Sequence, residues 1–157
     1  SLQPPYSMIA RGIEPGILPF CGQEDIGVVC YSPMGKGMLT GTFTAERVAS
    51  LPEKDHRTRD ARFQSPQLEI NLAFVDELAT IASGLGWTLP ELSIAWVLRC
   101  PELTSAIVGA RRPDQITQTA IAGTRNLNGD SATAVESALS RRADALAALG
   151  DIEQPKV

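Results

Sequence analysis

GVVCYSPMGKGMLTG, residues 27–41, changes character partway along. Its first part, Gly27–Tyr31, is a β-branched run with no polar face, the pattern of a strand buried on both sides as in a parallel sheet. Its second part holds a Ser-Pro turn, three glycines and a lysine. Ligands of parallel α/β folds bind at the C-terminal ends of the strands, so this turn stands where a ligand would be met. Tyr31 offers a flat face for an aromatic ring. Pro33 stiffens the turn, Gly35 and Gly37 permit close backbone approach, and Lys36 can meet a phosphate. The string is neither a Walker A loop nor a Rossmann G-x-G-x-x-G. On these residues alone, a ligand loop and a plain structural turn both stay open.

Toward the C-terminus, about thirty polar residues follow Gly41, with prolines at Pro52 and Pro66 and charges crowded from Glu53 to Arg62. A loop of that length is usually functional or disordered. Phe63 within it reads either as a wall of a small-molecule site or as an anchor under the loop, and His56 as a solvated loop residue. NLAFVDELATIASGLG then has helical spacing through Leu78, with Gly84 or Gly86 as its stop. ELSIAWVLRC, apolar nearly all round, predicts a sandwiched helix with Pro90 at its first position and Trp96 in the core. A second strand is expected at Ser105–Val108, ending in GARRPDQ. Arg111 and Arg112 precede a helix that begins at Pro113, where the helix dipole repels each cation by about a few tenths of a kcal/mol. A bound phosphate would reverse that sign, and two solvated arginines would fit equally well. The last helix is predicted from about Ser131 to Leu149. Its face is Val135, Leu139, Ala143, Leu146 and Leu149, its capping box Thr133 with Glu136, and its stop Gly150.

Toward the N-terminus, Pro4 limits any strand to Leu2-Gln3. Glu14–Asp25 is broken by glycine and proline and predicts at best a short or irregular helix. Strand, helix, strand, two helices, strand, two helices is the alternation of parallel βα units. Only three strands are visible where a closed (β/α)8 barrel needs eight, so the pattern is that of part of a larger α/β fold. No repeat beyond the βα unit and no domain boundary interrupts residues 1–157.

The 157 residues suffice for one domain with a core, and 43% apolar with 20% charged residues is a globular composition. A net charge of −4 argues against nucleic acid as a general partner. There is no apolar run of membrane-span length and no signal pattern at the N-terminus, and a cytoplasmic protein is the working expectation. Cys21, Cys30 and Cys100 have no metal or disulfide spacing and are expected to be small buried hydrophobes. No metal site is suggested. The chain opens on SLQPPYSMI, as if truncated.

The order Q-x-x-Y, R-x-I-E, YSPM-x-x-G-x-L-T-G, LSIAWVL and I-V-G-A-R-x-P-x-Q, from Gln3 to at least Ala122, resembles the C-terminal half of an aldo-keto reductase. The resemblance implies strands six to eight of a (β/α)8 TIM barrel whose complete form binds NADP(H) and reduces aldehydes or ketones to alcohols. It implies that Gln3 hydrogen-bonds the nicotinamide amide and that Tyr31 stacks on the ring. Ser32, Pro33, Met34, Lys36, Gly37 and Leu39 fall on the pyrophosphate and its covering loop. Gly109 and Arg111 match the 2′-phosphate positions, with Gln115 one turn on. Where the family usually has Glu-Asn at the adenine, this chain has Gln118 and Thr119. Where a lysine often follows the T-G of the loop, it has Thr42, and Arg59 or Arg62 would have to supply that phosphate contact. The family's catalytic Tyr, Lys, Asp and His belong to earlier strands and match nothing here. No catalytic residue is therefore assigned, and the chain alone is expected to be inactive and poorly stable, the N-terminal half being presumed missing. The partner implied is a small carbonyl substrate. Two other readings share the same residues: an NADP(H)-sensing module that regulates a partner, and a half-barrel completed by dimerisation.

Overall fold

The computed structural model describes residues 1–152; residues 153–157 of the expected single domain lie outside the described residues. Strand β1 (Val28–Tyr31) pairs in parallel with β2 (Leu103–Ile107), Tyr31 standing opposite Ile107. The second strand thus begins and ends earlier than the expected Ser105–Val108. The N-terminal segment forms no named strand, only parallel bridges at Leu2 and Pro5 on the other side of β1. Its pairing also runs past Pro4, where the sequence predicted a stop. Pro4 lends its carbonyl to the Tyr31 N–H at 3.0 Å, and Tyr6 N–H reaches the Tyr31 carbonyl at 3.2 Å. A proline removes one donor from the ladder but leaves its acceptor in use. All three segments run the same way, and their C-terminal ends share one rim.

Helices cover the sheet. Short α1 (Ile17–Gln23) precedes β1. The polar stretch after Gly41 is not a structureless loop. It holds α2 (Ala45–Ala49) and two 3-10 turns, His56–Arg59 and Ala61–Phe63, each capped by the side chain just before it. Thr44 accepts from Arg47 N–H, Asp55 from Arg57 N–H and Asp60 from Arg62 N–H. Asp, Ser and Thr favour such local bonds over longer regular structure. Phe63 is 1% exposed and meets the Phe43 ring edge-on, so it is the anchor under this segment. His56 is solvated, as expected.

Helix α3 (Gln67–Gly84) starts four residues before its predicted apolar stretch. It turns at Gly86 (φ +67°) into α4 (Leu89–Leu98), at 91° to it. Leu89, not Pro90, is the first residue of α4, because Thr88 caps it in a reciprocal box with Glu91. As its composition required, α4 is buried nearly all round, and Trp96 is fully enclosed. Beyond β2 come α5 (Pro113–Ala120), a 3-10 turn at Ile121–Thr124, and α6 (Gly129–Ile152).

Two expectations for α6 fail, and a third, its buried face, holds at Val135 and Leu139 only. Asn128 caps it, its Oδ1 accepting from Ser131 N–H at 2.8 Å, while Thr133 bonds the carbonyl of Gly129. Gly150 does not end the helix, and Ala143 is exposed; the buried face is Val135, Ala138 and Leu139. Glu136 is occupied elsewhere. It accepts from Trp96 Nε1 at 3.3 Å and Arg99 at 3.0 Å, and it pairs with Arg11, pinning α6 to the chain's start. Cys21 and Cys30 are buried. Cys100 is only half-buried, with its sulfur 3.4 Å from the Tyr6 hydroxyl.

Candidate functional site

The rim where the parallel segments end gathers most of the residues singled out above. Tyr31, the last residue of β1, keeps 43% of its surface exposed beside exposed Ile107. A large aromatic ring left open at a strand end, while its neighbours Val28 and Cys30 are sealed, is a ready stacking surface. Gln3 lies exposed between the two bridges of the N-terminal segment, one strand over.

Between Ser32 and Gly37 the backbone is left-handed at four positions. Ser32 and Lys36 have φ +57°, with Gly35 at +56° and Gly37 at +95° on either side of the lysine. At Gly35 a Cβ would stand 2.6 Å from Ile9 Cδ1, so the Ile9 side chain would have to shift to admit one. Pro33 is buried and holds the turn from beneath, Met34 is half-buried, and Leu39 is fully buried, its carbonyl accepting from Ser93 Oγ. Lys36 is committed, its Nζ lying 2.7 Å from Asp60 Oδ2. The Arg62 guanidinium grips the same carboxylate with two bonds, and with Lys36 it holds Asp60 well below the usual carboxylate range.

The residues that sequence reasoning missed are Arg57 and Arg47. Arg57 Nη1 comes within 4.0 Å of the point where a Gly37 side chain would begin, and the guanidinium lies 5.0 Å from the Phe43 ring. Arg47 covers that ring at 4.9 Å and donates to the Thr42 carbonyl at 2.7 Å. The guanidinium laid against the glycine turn is thus that of Arg57, itself paired with Asp55 at 2.6 Å. Arg59 is exposed, and Arg62 is paired in the same way with Asp60. The legible signal was a repeat: Asp55-x-Arg57 and Asp60-x-Arg62 each fold an aspartate back onto the arginine two residues on.

Across the rim, a Cβ on Gly109 would meet nothing within 4 Å. Gln115 Oε1 accepts from the N–H groups of Arg111 and Arg112 at 2.8 and 3.2 Å, bracing the loop against the first turn of α5. Both arginines are exposed. Arg112 forms two bonds to Asp114, whereas the Arg111 guanidinium has no partner among the described residues. On α5, Gln118 is exposed, and the Thr119 hydroxyl donates to the Gln115 carbonyl at 2.8 Å. No group of three or more His, Cys, Asp or Glu side chains gathers as a metal site among the described residues.

At the strand ends thus stand an open ring, a tight glycine turn with the Arg57–Asp55 pair beside it, and the Arg111 guanidinium, which has no partner among the described residues. Lys36 and Leu39 are turned to Asp60 and to the core. A parallel barrel segment with such a rim defines a class: an α/β-barrel protein with its ligand groups at the strand ends.

The sequence profile of the Aldo/keto reductase family matches residues 1–140, and the chain belongs to that family. It is 30% identical over 132 residues to an NADH-specific methylglyoxal reductase of Escherichia coli, covering 84% of this chain and 39% of that protein. It is 32% identical over 108 residues to the aldo-keto reductase yakc [NADP(+)] of Schizosaccharomyces pombe, 69% of this chain and 31% of that one. The structure superposes on a glycerol dehydrogenase of Gluconobacter oxydans with a TM-score of 0.81 at 31% identity, covering 89% of this chain and 42% of that one. The fold is thus a C-terminal portion of a (β/α)8 barrel, and the chain spans under two fifths of the length of these two curated relatives. No single helix among the described residues is long and apolar enough to cross a membrane.

Proposed function

We propose that this chain supplies the cofactor-gripping side of a reductase barrel that converts small aldehydes or ketones to alcohols with NADPH. The observation that carries this reading is the meeting, at one end of the parallel sheet, of the open Tyr31 ring, the left-handed glycine turn and the unpaired Arg111. The bound dinucleotide would supply the hydride. Tyr31 would carry the nicotinamide on its face, and Gln3 would fix its amide. The turn from Ser32 to Gly37, with Arg57 beside it, would hold the pyrophosphate. Gly109, Arg111 and the N-terminus of α5 would take the adenosine 2′-phosphate, and Gln118 and Thr119 would face the adenine.

These residues bind and orient; none is suited to deliver a proton. Of the two tyrosines, Tyr31 is the stacking surface. The Tyr6 hydroxyl is sealed in the core, 2.6 Å from Glu14 Oε1. Burial, with the Cys100 and Glu14 contacts, pushes its pKa well above the ordinary tyrosine value. A general acid works best near the operating pH, and Tyr6 is far from it. On this reading the proton for the carbonyl oxygen comes from residues of the barrel outside this chain, and the chain alone is inactive.

The preference for NADPH rests on Arg111 and Arg112, since the names of the relatives point both ways. Replacing both arginines by alanine in a complete barrel carrying this chain should raise the NADPH dissociation constant at least tenfold while leaving that for NADH nearly unchanged. An unaltered ratio would remove the assignment.

A further inference from the structure

Helices α3 and α6 part to leave a groove of about 360 Å³, floored by Ala73, Phe74, Ala138 and Ala145. That volume is within the range of small-molecule sites, and the exposed lining is mostly apolar. Both walls belong to this chain, so the groove owes nothing to barrel strands outside it. At its inner edge stands Arg142, half-buried, its guanidinium carbon 5.7 Å from the Phe74 ring. Arg142 Nε donates to Asn71 Oδ1 at 2.7 Å, and Asn71 is itself fixed by donating to the Arg62 carbonyl. The terminal nitrogens of Arg142 have no hydrogen-bond partner among the described residues, and no described carboxylate forms an ion pair with it.

An arginine in this position is unusual. A partly desolvated cation is costly unless an anion answers it. Burial, and then the like charge of Arg62, draw its pKa down to about 10. The nearby carboxylates do not relieve it. Glu77 is held on both oxygens by Arg141 at 3.1 Å, and Glu69 stands exposed at the rim without an ion pair among the described residues. An apolar trough that ends in one uncompensated guanidinium is complementary to a molecule with an apolar body and one negative head.

We propose that this groove is a binding site for an organic monocarboxylate with a short aliphatic or aryl body, its carboxylate on Arg142 and its body on the alanine and Phe74 floor. Its lining shares no residue with Tyr31–Gly37 or Gly109–Arg112, and the proposal does not rest on the cofactor reading.

The test is a titration of the full chain with sodium octanoate, and with 1-octanol as the uncharged probe, followed by the backbone amide shifts of Ala73, Phe74, Ala138 and Ala145. Octanoate should saturate these shifts, 1-octanol should not, and Arg142→Gln should weaken octanoate at least tenfold. Because Arg142 also holds Asn71, Ala145→Glu provides a second variant. It places a carboxylate one turn from Arg142 and should abolish binding without removing any buried contact. Absence of saturable shifts overturns the proposal, as does equal binding of 1-octanol or an unchanged octanoate affinity in Ala145→Glu. Binding that emerges only in Glu69→Gln would also overturn it, by showing that Glu69 is the partner of Arg142 in solution.

Discussion

Arg111 and Arg112 are neighbours with different commitments. Arg112 is tied to Asp114 by two exposed bonds, and the Arg111 side chain has no partner among the described residues. Exposed pairs contribute little, about 0–1 kcal/mol, yet a partner still competes with a ligand for the same fork. Arg111→Ala should therefore weaken NADPH more than Arg112→Ala, by roughly tenfold against threefold, charge-assisted bonds being worth about 1.5–3 kcal/mol. Equal losses measured by fluorescence titration would contradict the difference. A second residue-scale prediction concerns Cys30, fully buried in β1. Burial pushes its thiol up to about 11, above the ordinary cysteine value near 8.5. A raised folded-state pKa means stability is intact below the unfolded value and is lost as pH rises toward the folded one. Unfolding free energy should fall between about pH 8.5 and pH 11, and Cys30→Ala should flatten that slope. A slope unchanged by the substitution would assign the loss to other groups, Tyr6 first among them.

At the scale of elements, the glycine turn is the most constrained piece of the rim. Gly35→Ala would force a side chain into Ile9 at a left-handed φ, and overpacking together with such strain costs about 1–3 kcal/mol each. The expected result is a drop in melting temperature, whereas Gly109→Ala, with open space around it, should change it little. The helical turns between α2 and α3 should come loose when Asp60→Asn removes the carboxylate shared by Lys36 and Arg62. Limited proteolysis between Pro52 and Gln64 would then be faster than in the parent chain; unchanged cleavage would show that the Phe43–Phe63 contact alone holds the segment. Much of the element layout was legible. Gly27–Tyr31, α4 and the start of α5 follow from β-branching, an all-round apolar helix and a proline at the first position. The turns between Asp55 and Phe63 were not, because a single side-chain cap per turn leaves no periodicity to read. The start of α6 was misread because Thr133 and Glu136 have the right spacing for a capping box, while tertiary demand from Trp96, Arg99 and Arg11 takes the glutamate. For Arg57 the Asp-x-Arg spacing carried the pairing with Asp55, but its place against the turn is set by Phe43, and spacing along the chain does not report that contact.

For the whole molecule, Leu2, Ile107, Ile116 and Ile121 are exposed apolar side chains on and around a sheet with open edges. Such surface is what a barrel buries when its circle closes. If, as proposed, the proton for the carbonyl comes from residues outside this chain, the chain by itself should not consume NADPH with an aldehyde. Turnover that survives purification and is lost in Tyr6→Phe would contradict the assignment of Tyr6 to the core. If residues distant in sequence form one dinucleotide-binding rim, as proposed, an NADPH titration of the chain followed by backbone amide shifts will register it: Tyr31–Gly37 and Gly109–Arg112 should shift together with one common saturation curve. Shifts confined to one of these segments, or to neither, would contradict it.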